Sequence, residues 1–122
     1  MPESVLYLTT DLMFASRASG AAQRAGVALD TISAPERLIE RCGDETAALV
    51  IVDLSLGGLE IAGLVARLRE LPNAPRRIIA YGPHVHEAKL QAAATAGCDA
   101  VFSRGEFNAQ MDRILASANT AG

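Results

Sequence analysis

With 122 residues, 50% of them hydrophobic, 20% charged and a net charge of −3, the chain has a globular composition and not a disordered one. It is long enough for one domain, residues 1–122, that buries about two-thirds of the surface its unfolded chain would expose. The acidic balance gives no electrostatic reason to expect a nucleic-acid backbone or an anionic membrane as partner.

The opening segment MPESVLYL carries a Glu and no basic stretch before a short apolar run, which argues against a signal peptide and against a membrane span. Within it, Val5 to Leu8 reads as a first strand. Thr9, Thr10 and Asp11 then offer caps for a helix whose apolar positions, Phe14, Ala18, Ala21, Ala22 and Ala25, keep helical spacing up to a stop at Gly26. Val27 to Ile32, interrupted by Asp30 and Thr31, predicts a less buried second strand at an edge. Ser33, with Glu36 three residues on, is expected to cap a second helix lined by Leu38, Ile39 and Cys42, with Gly43 at its end.

The central stretch is Ala47 to Glu60. Leu49, Val50, Ile51 and Val52 run without a polar interruption, as suits a parallel strand covered on both faces, and the run ends on Asp53. In open α/β sheets the carboxyl ends of strands are where ligands and chemistry collect. Ile61, Leu64, Val65 and Leu68 mark a third helix that ends near Leu71-Pro72. Ile78 to Tyr81 predicts a fourth strand, broken by Gly82-Pro83. A fourth helix follows from about Val85 to Ala96, apolar on two sides: Val85, Ala88 and Ala92 on one, Leu90, Ala93 and Ala94 on the other. Ala100 to Ser103 is a fifth strand, and Phe107, Met111, Ile114, Leu115 and Ala118 line a last helix. Five βα units in one short chain predict a doubly wound parallel sheet.

Enzyme motifs are missing. No GxGxxG follows the first strand and no GxxxxGK[ST] occurs, so the backbone cradle for a nucleotide's phosphates is lacking. No GxSxG surrounds a serine, and no nucleophilic triad can be assembled from residue order. His84 and His86 lack the further ligands a metal would need and read as a solvated loop. Cys42 and Cys98 have no metal or redox spacing and read as buried free thiols of a cytoplasmic protein.

These residues together resemble the receiver domain of bacterial response regulators, from Ser4 to Ser117. The resemblance is carried by the five βα units, by Asp53 followed by Leu56, Gly57-Gly58 and Glu60, and by the segment AGCDAVFSR that ends on Arg104. It implies a CheY-like, flavodoxin-like (βα)5 fold with strand order 2-1-3-4-5. It puts Asp53 at the phospho-accepting position. The family's Mg²⁺-binding acid pair falls on Thr9 and Thr10, with Asp11 one place beyond. Its phosphate-binding hydroxyl falls on Gly82, its lysine on Arg104 and its aromatic switch on Val101. A single carboxylate holds Mg²⁺ weakly, because that ion gives up water reluctantly.

The expectation is therefore a stand-alone pseudo-receiver: not an enzyme, without a cofactor, and acting by contact with a histidine kinase or a downstream regulator. Mg²⁺ would enter only if the pocket were still active, and a homodimer is the other assembly considered. The expected interface is the fourth helix, fifth strand and fifth helix, with Leu90, Ala93, Ala94 and Val101 on it. Two alternatives stand beside this reading. One is a phosphorylatable receiver using Asp11 and Asp53; the other is a sensor of a small ligand or nucleotide in a rebuilt pocket of Thr9, Thr10, Ser55 and Gly82. With no phosphate to bind, Arg104 either pairs directly with Asp53 or points into water as a solvated remnant of the family's lysine.

Overall fold

The computed structural model describes residues 3–119. The ten elements alternate without exception. They are β1 (Ser4–Leu8), α1 (Leu12–Ala25), β2 (Ala28–Ile32), α2 (Pro35–Asp44), β3 (Leu49–Asp53), α3 (Ile61–Glu70), β4 (Ile78–Gly82), α4 (Glu87–Ala96), β5 (Ala100–Ser103) and α5 (Arg104–Ala118). The strands form one parallel sheet in the order β2-β1-β3-β4-β5, as expected. Its register pairs Leu8 with Val52 and Asp53 with Tyr81.

Alternation along the strands divides the core into two layers. Val5, Tyr7, Ile51, Ile79 and Tyr81 face α1 and α5, where Phe14, Phe107 and Leu115 meet them. Leu6, Leu8, Val50, Val52, Ile78 and Ala80 face α2, α3 and α4. Both faces of β1, β3 and β4 are covered, which is why these strands are apolar nearly throughout. β2 is an edge, and its Asp30 and Thr31 are exposed.

Helix ends follow their local chemistry with two departures from expectation. Asp11 caps α1 by accepting from the Phe14 N–H at 3.0 Å, and Gly26, at φ 73°, closes it in the left-handed conformation that an L side chain resists. Ser33 does not cap α2: the N-cap is Ala34, because Pro35 with its fixed φ starts the helix one residue later, and α2 runs past Gly43 to Asp44. The fourth helix begins at Glu87, not Val85, after an N-cap at His86 that makes no side-chain bond.

The two faces of α4 are also corrected. Ala93 is fully buried and Leu90 packs against the same core layer, whereas Ala88, Ala92 and Ala94 are exposed. Ala93 is therefore not available to an interface, Leu90 is half-buried against the core, and only Ala94 of that stripe is fully on the surface. Val101, on β5, is half-buried against the same layer. The thiols of Cys42 and Cys98 are free, the first buried and the second half-buried.

Candidate functional site

The carboxyl end of the sheet brings Thr9, Asp53, Tyr81 and Gly82 together. Asp53 is the last residue of β3 and only 6% exposed, with its side chain on the α1/α5 face. Both of its carboxylate oxygens are already engaged. The Thr9 hydroxyl donates to Oδ2 at 2.6 Å, and the Ser55 N–H donates to Oδ1 at 2.9 Å. Thr9 is itself buried, and its hydroxyl accepts from the Asp11 N–H at 3.0 Å. The position where the resemblance implies a metal-binding acid thus holds a hydroxyl that bridges the β1–α1 turn and the central acid.

Two side chains that the sequence reading did not single out complete the site. Tyr7 on β1 and Tyr81 on β4 flank β3, project to the same face, and their hydroxyls are hydrogen-bonded to one another in the interior. Burial pushes the Tyr7 hydroxyl up to about 12, with the Asp53 charge adding to it and the bond from Tyr81 opposing. The Tyr81 hydroxyl is driven further up, first by burial and then by its bond to Tyr7. Tyr81 stacks on Phe107 with centroids 4.1 Å apart and an interplanar angle of 5°, and Phe14 lies 5.9 Å from Tyr81 and 6.1 Å from Phe107, closing a cluster of three rings. The signal was a pair of aromatics in two otherwise aliphatic strands.

Arg104 does not pair with Asp53. It is the first residue of α5, just after the Ser103 N-cap, and its Nη2 donates to Asp11 Oδ2 at 2.8 Å while its guanidinium lies 4.5 Å from the centre of the Phe14 ring. The arginine reaches Asp11 instead, while each Asp53 oxygen accepts one bond, from the Thr9 hydroxyl and from the Ser55 N–H. A half-exposed ion pair of this kind contributes about 0 to 1 kcal/mol, and the ring contact about as much again.

Gly82 is buried at the end of β4 where the resemblance implies a hydroxyl. A Cβ there would lie 3.3 Å from the Leu54 Cβ and 3.8 Å from the Leu90 Cδ2. The space beside the glycine is taken by Leu54, the residue after Asp53, which is buried. Thr9 and Gly82 are covered, while Thr10 and Ser55 are exposed, so the four do not line one open pocket.

Mg²⁺ does not fit this donor set. Asp11 is held by the Phe14 N–H and by Arg104, Asp53 by Thr9 and Ser55, and no third acid approaches. Among the described residues no cluster of three His, Cys, Asp or Glu could hold a metal ion, and His84 and His86 are exposed. No described helix is long and apolar enough to cross a membrane.

No protein-family model and no curated protein matches the chain. Solved structures do, at low identity. A response regulator from Hahella chejuensis is similar with a TM-score of 0.84 and 13% identity, over 98% of this chain and 96% of that one. The receiver domain of the sensor histidine kinase PA1611 from Pseudomonas aeruginosa PAO1, which has magnesium coordinated in its cleft, gives 0.82 and 13% over 99% and 100%. The receiver domain of Ssk1 from Saccharomyces cerevisiae, solved with the histidine phosphotransfer protein Ypd1, gives 0.77 and 12% over 97% and 89%. The chain has the CheY-like receiver fold.

Proposed function

We propose that this protein is a pseudo-receiver: a cytoplasmic, non-enzymatic signalling module of a two-component or related system that works by protein–protein contact and does not take a phosphoryl group on Asp53. The observation that carries the reading is the engagement of both Asp53 oxygens, by the Thr9 hydroxyl and the Ser55 N–H. An attacking carboxylate needs an accessible oxygen and a cation to neutralise the arriving dianion. Here Asp53 is nearly covered and each of its oxygens already accepts a bond, the acid pair is Thr9 and Thr10, and the phosphate-binding positions carry Gly82 and an Arg104 paired with Asp11. Its partner belongs to the class that receiver folds meet, a histidine kinase, a phosphotransfer protein or a downstream regulator, as Ssk1 meets Ypd1.

Incubation with acetyl phosphate and Mg²⁺, followed by intact-mass measurement, tests it. The mass stays unchanged under this reading. Gain of one phosphoryl group by the wild type, absent from Asp53→Asn, would establish a phosphorylatable receiver instead.

A further inference from the structure

Beside the covered site lies a groove of about 450 Å³ between the β3–α3 connection and α4. Its floor is apolar, made by the buried side chains of Leu54, Leu56 and Ile61. One wall is the exposed face of α4, where Ala88 and Ala92 are too small to fill the space and leave the floor open to approach. Lys89 stands on the same wall. It is the only lysine of the chain.

Its charge is uncompensated. Of the chain's eleven lysines and arginines, Lys89 and Arg113 are the two whose side chains have no hydrogen-bond, ion-pair or ring partner among the described residues. The groove's own carboxylate, Glu60, is turned to the N-cap of α3, where its Oε2 accepts from the Gly63 N–H at 2.5 Å, and it forms no ion pair with Lys89. An apolar trough with one unpaired cation on its wall is complementary to an apolar surface that carries an acid. A trough this open suits a segment of chain better than an enclosed small molecule.

We propose that this groove binds a short segment of a partner protein, with apolar side chains on Leu54, Leu56 and Ile61 and a carboxylate against Lys89. The proposal rests on the reading of the chain as an interaction module and names the chemistry of its partner. Leu54 links the groove to the site, since the same side chain forms the floor here and packs against Gly82 behind. A segment seated in the groove therefore presses on the residue next to Asp53.

The test selects peptides from a random dodecapeptide display library on the purified chain and titrates the enriched peptides into protein whose amines carry ¹³C-methyl groups. Lys89 then gives the one side-chain amine signal. Peptides combining apolar residues with Asp or Glu are expected to emerge, to shift the Lys89 methyl signal, and to bind Lys89→Glu and Ala92→Arg at least about tenfold more weakly. Both positions are exposed, so both variants fold. Failure to enrich peptides, a consensus without an acid, or equal binding to Lys89→Glu overturns the proposal. So do saturable binding of dodecanoate at this signal without peptide binding, which makes the groove a small-ligand site, and self-association abolished by Lys89→Glu, which makes it a dimer face. Phosphorylation of Asp53 with peptide binding intact would remove the pseudo-receiver reading and leave the groove.

Discussion

Thr9 satisfies two elements with one hydroxyl, giving its proton to Asp53 and accepting the Asp11 N–H that starts the turn into α1. Valine has nearly the same shape and can do neither. Thr9→Val is expected to lower stability by about 1 to 3 kcal/mol, the range for leaving buried polar partners unmatched, read as a shift of the urea midpoint with unchanged slope. An unshifted midpoint would mean that water replaces the hydroxyl without loss. The hydroxyls of Tyr7 and Tyr81 give a second prediction at this scale. Each is raised by burial above the unfolded value of about 10, Tyr7 to about 12 and Tyr81 beyond it. A raised group keeps its contribution to stability below the unfolded value and loses it as the pH climbs toward the folded one. The folded protein should therefore develop no tyrosinate absorbance just above pH 10, and alkali should produce that absorbance together with the loss of helical circular dichroism. Because these are the chain's only tyrosines, absorbance that rises while the helices persist would show that the pair is hydrated.

Among the elements, α3 and α5 could be read from sequence because each alternates bulky apolar side chains with polar ones, so a single face can be buried, and α1 because Phe14 and its alanines keep to one helical stripe. α4 could not. Alanines surround it, its only fully buried side chain is Ala93, and periodicity cannot tell which methyl faces a core. The register against β4 decides this, and only the folded sheet supplies it. Leu90→Glu follows from the corrected face: a carboxylate in the layer beside Gly82 and Leu54 should cost about 2 kcal/mol, whereas on a solvent-facing stripe it would cost almost nothing. Thermal and urea unfolding of the variant decide between the two. Asp53 was legible for a simpler reason, since an acid ending an uninterrupted apolar strand has few places to go. The partners of Arg104 and the meeting of Tyr7 with Tyr81 were not legible, because each joins residues from opposite ends of the chain through a strand order that no local pattern encodes.

At the scale of the whole molecule, the order β2-β1-β3-β4-β5 puts the β1, β3 and β4 termini side by side, and Thr9, Asp53 and Gly82 lie along that one edge. These positions are interlocked through packing. Gly82→Ser makes this measurable: its Cβ would sit 3.3 Å from that of Leu54, so the leucine must give way. The expected cost is about 1 to 3 kcal/mol, the usual penalty for overfilling a packed core. Gly82→Ser combined with Leu54→Gly should show coupling, because the Cβ that crowds position 82 is then absent, whereas Leu54→Ala keeps that atom and should not. Additive losses in unfolding free energy would show that the two positions do not touch.

The leucine beside Gly82 also bears on ancestry. Should this pocket descend from one that accepted phosphate, the way back is obstructed at each separate step. A serine or threonine restored at position 82 brings its Cβ to 3.3 Å from the Leu54 Cβ, so the strand end must shift. An acid placed at position 9 loses the bond to Asp53 and sets a second carboxylate beside it with no cation to hold the two together. Either change alone is uphill, and neither yields a working site, so selection has no gradient to follow. The close approach of the two strand ends thereby acts as a ratchet: once position 82 has given up its Cβ and the neighbouring strand has closed on it, the lost chemistry returns only through several simultaneous substitutions.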